Sequence, residues 1–310
     1  MTQNLPAGFR SDFLTCNGVR LHVVHNGPEF SGAPFDDNRP AILMLHGFPE
    51  FWIAWRDVMA ALGDDFLIIA PDQRGYNLSD APTGVENYQA RLLVADMLDL
   101  MRQTIGDRQF ALCGHDWGAS IAYALAIQFP KLVSHLFIAN GVHPACFQQG
   151  LIDDPAQAEA SGYFHLLRQE RAASVMAEDD FRRTFSMFEK FSSTPWLTEQ
   201  IKQEYRDAWS GETRLAAMLN WYSSSPIMVP KPGETITDAP LYNVKPDKLR
   251  IAMPHRLLWG TGDQALLASS RQRLPEFCDD LSVVEVDNAD HWILHTHGAK
   301  IAGEIRKLVG

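Results

Sequence analysis

Apolar and polar positions alternate through residues 12–25 (DFLTCNGVRLHVVH), on either side of Asn17-Gly18. A period of two buries one face of a strand, and Asn-Gly tolerates the positive φ angles of a tight turn, so an antiparallel hairpin is predicted. The pattern then changes. Unbroken apolar runs at 41–45, 66–70, 110–113 and 136–139 have the length of strands buried on both faces, and segments of helical period at 91–102 and 119–128 separate them. Alternation of this kind defines an α/β protein with a mostly parallel, doubly wound sheet. Between 144 and 243 the rhythm is lost. That stretch is rich in Gln, Glu, Arg, Met and aromatic residues at helical spacing, including 181–191 and 196–209. Strand character returns at 256–259 and 281–286, and a last helix is predicted near 300–309. The chain therefore divides into a first core part (1–143), a helical insertion (144–243) and a second core part (244–310). Since the later strands complete the earlier sheet, the insertion is expected to sit as a lid over the strand carboxyl ends, where open α/β sheets bind ligands.

Composition narrows the function classes. With 310 residues, 46% hydrophobic and 21% charged, the chain can bury a large core. Lys+Arg 27 against Asp+Glu 38 gives a formal charge of −11, which repels phosphate backbones and disfavours nucleic acid as a partner. The first residues (MTQNLPAGFRSDF) lack a basic segment followed by an apolar core, and no apolar run is long enough to cross a bilayer, so a cytoplasmic protein without a membrane partner is expected. Cys16, Cys113, Cys146 and Cys278 are scattered, without the paired spacing of zinc or redox sites, and are read as reduced thiols. His291, His295 and His297 form the one metal-like cluster. No carboxylate stands near them at zincin spacing, so neither metal nor cofactor is expected.

The candidate chemistry centres on Gly114-His115-Asp116-Trp117-Gly118, which lies between a predicted strand and a predicted helix. This is the outline of a nucleophile elbow, with a carboxylate where esterases carry serine. The competing reading is a plain turn whose Asp caps the next helix. An elbow aspartate is ionised at neutral pH and gains about 0.3–1 kcal/mol from the helix N-terminus, so it needs no base to attack. Attack on an acyl group would make a labile anhydride. The useful target is an sp3 carbon with a leaving group, as in an epoxide or an alkyl halide.

Other motifs fall into place around Asp116. His46-Gly47-Phe48-Pro49 follows the first buried strand, and the amides of Phe48 and Trp117 would form an oxyanion hole. Asp263, in Trp259-Gly260-Thr261-Gly262-Asp263, and His291, in Asp290-His291-Trp292, each follow a later strand. The order nucleophile, acid, histidine suits an elbow site. Asp263 would orient His291, which would activate water against an Asp116 ester.

These motifs together resemble those of the α/β-hydrolases of the epoxide hydrolase group, along nearly the whole chain. The likeness rests on His46-Gly47-Phe48-Pro49-Glu50-Phe51-Trp52 with Trp55-Arg56, on residues 72–80 (DQRGYNLSD), on Gly114 to Gly118 and on Asn220-Trp221-Tyr222. It implies an eight-stranded α/β-hydrolase fold with a helical cap, and two cap tyrosines, Tyr222 and Tyr163, that bind and protonate the epoxide oxygen. The other reading of the two tyrosines is core aromatics whose hydroxyls find a carbonyl. The resemblance also implies a substrate pocket involving His46, Pro49, Trp52, His115, Trp221 and Trp292, an epoxide and water as reactants, and a monomer or homodimer. The chain departs from the family pattern at Asp290, where glycine is usual, at Ser223, where arginine is common, and at His297-Gly298, where proline is frequent.

A dehalogenase is the alternative with the same nucleophile. Against it stand Phe48 in the place of a halide-holding residue, Trp117 in the place of a carboxylate-clamping arginine, and Asn140 where some dehalogenases carry the acid. A catalytically silent binding protein is a second alternative, disfavoured because no triad member is missing. A serine esterase is disfavoured because neither Ser120 nor any other serine occupies the elbow centre.

Overall fold

The protein is represented by a computed structural model that describes residues 4–190, 196–210 and 212–310. Its centre is one eight-stranded sheet. The strands are β1 (Arg10–Cys16), β2 (Val19–His25), β3 (Ala41–Leu45), β4 (Leu67–Pro71), β5 (Phe110–His115), β6 (Val133–Ala139), β7 (His255–Gly260) and β8 (Leu281–Val286), in spatial order β1-β2-β4-β3-β5-β6-β7-β8. The hairpin β1–β2 turns at Asn17 and Gly18, with φ 47° and 80°, the two positive values that such a turn requires. β1, β2 and β4 pair antiparallel and all later pairs are parallel. β3, β4 and β5 are buried at every position, which explains their unbroken apolar sequences.

Helices cover the sheet on both sides. Ala90–Ile105 packs beside Trp117–Gln128, and Arg56–Leu62 beside Gly298–Val309. Trp117–Gln128 is apolar all round because it lies between the sheet and a second helix. Ala90–Ile105 ends at Gly106, whose φ of 68° suits glycine and whose N–H bonds the Arg102 carbonyl. The chain runs from β3 outward to β4 and then returns to place β5 on the other side of β3. The carboxyl ends of β3 and β5 thus meet at the switch point of the sheet.

Between β6 and β7 lie helices Pro144–Asp153, Pro155–Ala160, Tyr163–Leu167, Ala172–Lys190, Glu199–Ala208 and Glu212–Ser224. The pattern at 181–191 belongs to the fourth of these, up to Lys190; Phe191 lies outside the described residues. That helix is broken at Glu178–Phe181, where Asp179, Asp180 and Phe181 have φ 50°, 56° and 63°. The break brings Phe181 to 5.7 Å from the Trp209 ring and Asp180 to the Arg206 guanidinium at 2.6 Å. Residues 225–243 are not helical, contrary to the expectation for 144–243 as a whole. Pro226, Pro230, Pro232 and Pro240 remove backbone donors there.

Three indole N–H groups fasten these helices to the sheet's loops: Trp209 donates to the Pro49 carbonyl (2.6 Å), Trp221 to Arg74 (3.0 Å) and Trp292 to Phe188 (3.1 Å). All four cysteines are free. Among the described residues no helix is long and apolar enough to cross a membrane.

A side chain at Gly118 would collide with the backbone carbonyls of Leu45 and His46, whereas Gly303, in the last helix, faces open space. Gly118→Ala is expected to destabilise the fold by at least about 2 kcal/mol, and Gly303→Ala to stabilise it by roughly 0.5–1 kcal/mol. Thermal midpoints measured side by side should therefore move in opposite directions.

Candidate active site

At the end of β5 the backbone turns through Asp116 at φ 49° and ψ −121°, and a helix starts at Trp117. This conformation is rare for a residue with a Cβ. The close crossing it produces explains the neighbouring glycines. A Cβ on Gly114 would lie 2.7 Å from the Ala119 Cα, and one on Gly47 would overlap the Asp116 side chain. The Asp116 N–H donates to the Asn140 carbonyl at 3.3 Å, and its own carbonyl accepts from Ala119 at 3.0 Å.

Asp116 is thereby presented to the loop after β3. The Phe48 N–H donates to Asp116 Oδ1 at 2.8 Å. Trp117 is the first helical residue, and its N–H is one of those a helix leaves unpaired. On the other side, His291 Nε2 lies 3.5 Å from Asp116 Oδ2, and His291 Nδ1 meets Asp263 Oδ2 at 2.8 Å. Asp263 Oδ1 accepts the N–H groups of Ala265 and Leu266, at 2.8 and 2.9 Å. Asn140 donates to Asp263 Oδ2 at 2.7 Å and accepts the Gly260 N–H at 2.8 Å. Asn140 thus holds the acid rather than standing in its place. Asp116, Asp263 and His291, far apart in sequence, form one connected line.

Electrostatics follow from this packing. Burial pulls the His291 pKa down, but the charges of Asp263 and Asp116 and the hydrogen bonds to both outweigh it, and the imidazole stays well above its ordinary value. Burial pushes Asp263 up, while His291, the Leu266 amide and Asn140 bring it below its ordinary value. The Asp290 carboxylate is turned to the Trp292 N–H at 3.0 Å.

Tyr222, buried on Glu212–Ser224, and Tyr163, partly buried at the start of Tyr163–Leu167, have ring centres 6.2 Å apart. The Tyr222 ring also packs edge-on against Trp117 (4.9 Å) and Phe48 (5.2 Å). Burial raises the pKa of Tyr163 through desolvation, with the Asp116 charge adding to it. For Tyr222, burial leads again, followed by Tyr163 and Asp116. Both phenols therefore keep their protons at neutral pH.

In front of Asp116 a cavity is lined by Trp117, Ser120 and Tyr163 and by the apolar side chains of Val142, Pro144, Phe147, Phe164, Ile227 and Leu266. The six expected pocket residues, His46, Pro49, Trp52, His115, Trp221 and Trp292, do not line it. His46 is fully buried, with Nδ1 on the Gly47 carbonyl and Nε2 accepting the Gln73 N–H. Pro49 and Trp221 join the helices between β6 and β7 to the loops at the sheet's end. The Trp52 N–H donates to Asp72. His115 donates from Nε2 to the His291 carbonyl at 2.8 Å, and its Nδ1 lies 3.3 Å from Glu50 Oε2. Trp292 bonds Phe188. These residues brace the loops that carry the site.

The metal-like trio separates in space. His291 faces Asp263, His295 Nε2 meets Glu50 Oε1 at 2.6 Å, and His297 Nδ1 lies 2.7 Å from Thr296 Oγ1. Of the lining residues that sequence reasoning missed, only Ser120 carries a local signal, one helical turn beyond Asp116. The apolar ones come from separate segments with nothing in sequence to join them.

The class follows from this frame: the α/β hydrolase fold family matches residues 40–298, and the chain belongs to it. Within that class it is 31% identical to the AB hydrolase superfamily protein YfhM of Bacillus subtilis, over 93% of each chain. Epoxide hydrolase 1 of Caenorhabditis elegans is 26% identical over 99% of this chain and 72% of its own length. Among solved structures, the Bacillus megaterium epoxide hydrolase in complex with an inhibitor superposes with a TM-score of 0.83 at 26% identity, covering 96% of this chain and 99% of that one. One of the epoxide hydrolases from metagenomes of hot environments gives 0.82 at 29% identity, covering 97% and 99%.

Since Asp116 supplies part of the charge that keeps His291 protonated, Asp116→Asn should make this imidazole titrate at lower pH than in the unaltered protein. Imidazole proton or nitrogen NMR across a pH series measures it; an unmoved titration would show that Asp116 does not act on His291.

Proposed function

We propose that this protein hydrolyses epoxides to vicinal diols through an alkyl ester on Asp116. The observation that carries the reading is a carboxylate at the centre of an elbow, with one oxygen on the Phe48 amide and the other beside His291. The likeness to epoxide hydrolases in sequence and structure supports the substrate class.

In the first step Asp116 Oδ2 attacks a ring carbon as the ring C–O bond breaks. The departing oxygen takes a proton from Tyr222 or Tyr163, whose phenols are protonated and close to Asp116. A halide would need no such donor. Esterification removes the charge of Asp116, one of the two that hold the His291 proton. That proton passes to the tyrosinate, and a neutral imidazole remains. In the second step His291, oriented by Asp263, takes a proton from water as hydroxide adds to Asp116 Cγ. Charge then develops on Oδ1, where the amides of Phe48 and Trp117 would stabilise it. Collapse releases the diol, with the proton returned from His291. Residues 144–243 would act as the cap over a core made of 1–143 and 244–310, contributing both tyrosines and excluding bulk water.

His291→Gln is expected to slow ester hydrolysis by about 100-fold or more, so that intact-protein mass rises by one substrate after exposure to an epoxide. Single turnover of the unaltered protein in heavy-oxygen water should place label in the peptide carrying Asp116. No label there, or halide release from haloalkanes without diol formation from epoxides, overturns the proposal. Tyr222→Phe, which leaves only Tyr163 as acid, should slow ring opening by roughly 10- to 100-fold in rapid-mixing kinetics.

A further inference from the structure

Of the side chains that line the cavity before Asp116, most are apolar, and none carries positive charge. The polar groups are the Asp116 carboxylate, the Tyr163 phenol, the Ser120 hydroxyl and the Trp117 indole N–H, the last bonded to the Tyr222 phenol. The first two are engaged in the proposed chemistry. Ser120 is not: it is half-buried, its side chain makes no hydrogen bond among the described residues, and it stands one turn along the helix from Asp116. Side chains four apart on a helix share a face, with Cβ atoms about 5–6 Å apart. A carbon attacked by Asp116 would therefore place the next few atoms of its substituent beside the Ser120 hydroxyl. Around that hydroxyl, Trp117, Phe147 and Phe164 offer aromatic walls. An arm that is apolar throughout fits the walls but leaves the hydroxyl unpaired. An arm with an acceptor at that depth satisfies both, and an anionic arm meets a site that is net negative, with the two carboxylates of Asp116 and Asp263 against the single imidazolium of His291.

We propose that Ser120 is a specificity-determining residue, and that the site selects uncharged epoxides whose aromatic or apolar arm carries a hydrogen-bond acceptor next to the ring, as an aryl ether does. The inference rests on the epoxide reading above and deepens it.

The test compares phenyl glycidyl ether with 4-phenyl-1,2-epoxybutane, in which a CH2 replaces the ether oxygen. The unaltered protein should favour the ether in kcat/KM by roughly 3- to 10-fold, the range of one neutral hydrogen bond. Ser120→Ala should bring the ratio close to one, chiefly through a higher KM for the ether, and Ser120→Thr, which keeps a hydroxyl, should retain a preference. An epoxide bearing a carboxylate at the end of its arm should be turned over at least about 10-fold less well than its methyl ester. If both neutral epoxides are hydrolysed but their ratio is unchanged by Ser120→Ala, the role of Ser120 is overturned while the epoxide reading stands. If neither is hydrolysed and no alkyl-enzyme forms on Asp116, the epoxide reading fails and this inference falls with it.

Discussion

The site depends on one residue, Asp116, held in a backbone conformation that a side chain makes expensive. At φ 49° and ψ −121° it stores strain on the order of 1–3 kcal/mol, and the surrounding structure offsets this with several independent contacts. The Asn140 carbonyl takes its N–H, Ala119 bonds its carbonyl, and Phe48 bonds its carboxylate. Gly114, Gly118 and Gly47 remove the side chains that would block the crossing of β5, the following helix and the loop after β3. Straightening this turn would point the carboxylate into the sheet and separate it from both Phe48 and His291.

A buried positive charge follows from that placement. His291 lies between two carboxylates, and bringing three ionisable groups out of water costs several kcal/mol per ion unless each is paired and hydrogen-bonded. Here each has partners, with Asn140 and two backbone amides completing Asp263. Because His291 is raised, it stabilises the fold fully below the unfolded value of 6.5, and this contribution is lost as pH rises through its folded pKa. Because Asp263 is lowered, its contribution is full above 3.8 and is lost as pH falls through its folded pKa. Both are therefore fully present between those two values. The same balance serves the proposed reaction, since neutralising Asp116 loosens the His291 proton at the step where a base is required.

Asn140 and the tryptophans show how much of the site consists of support. Trp209, Trp221 and Trp292 use their only polar atom to tie the helices between β6 and β7 to loops at the sheet's end. A second buried group, Glu50 with His295, His115 and Tyr205, joins the same layers. Burial pushes Glu50 up, yet the two histidines hold its carboxyl well below the usual range. Aromatic residues beside a catalytic motif read in sequence as pocket walls. Here the polar edge of each ring is taken up by a backbone carbonyl, and the ring serves as a brace.

The order of the elements, the doubly wound sheet and the line Asp116, Asp263, His291 were legible in the chain, because strand runs, turn glycines and elbow spacing are local properties fixed by backbone sterics and burial. The left-handed break at Asp179 to Phe181 was not, since it is decided by what Phe181 and Asp180 meet on a distant helix. Asn140 could be read as a position but not as the holder of Asp263, whose partner lies 123 residues away. Which faces line the cavity was likewise hidden: Phe147, Phe164, Ile227 and Leu266 converge only once the helices between β6 and β7 pack over the sheet's end, while His115 is bonded to the His291 carbonyl and Trp221 to that of Arg74. Sequence alone determined which groups are proposed to react, because their chemistry and order travel with the residues. Tertiary structure alone decided what surrounds them, because the shape of a cavity arises from side chains distant in the chain packing against one another.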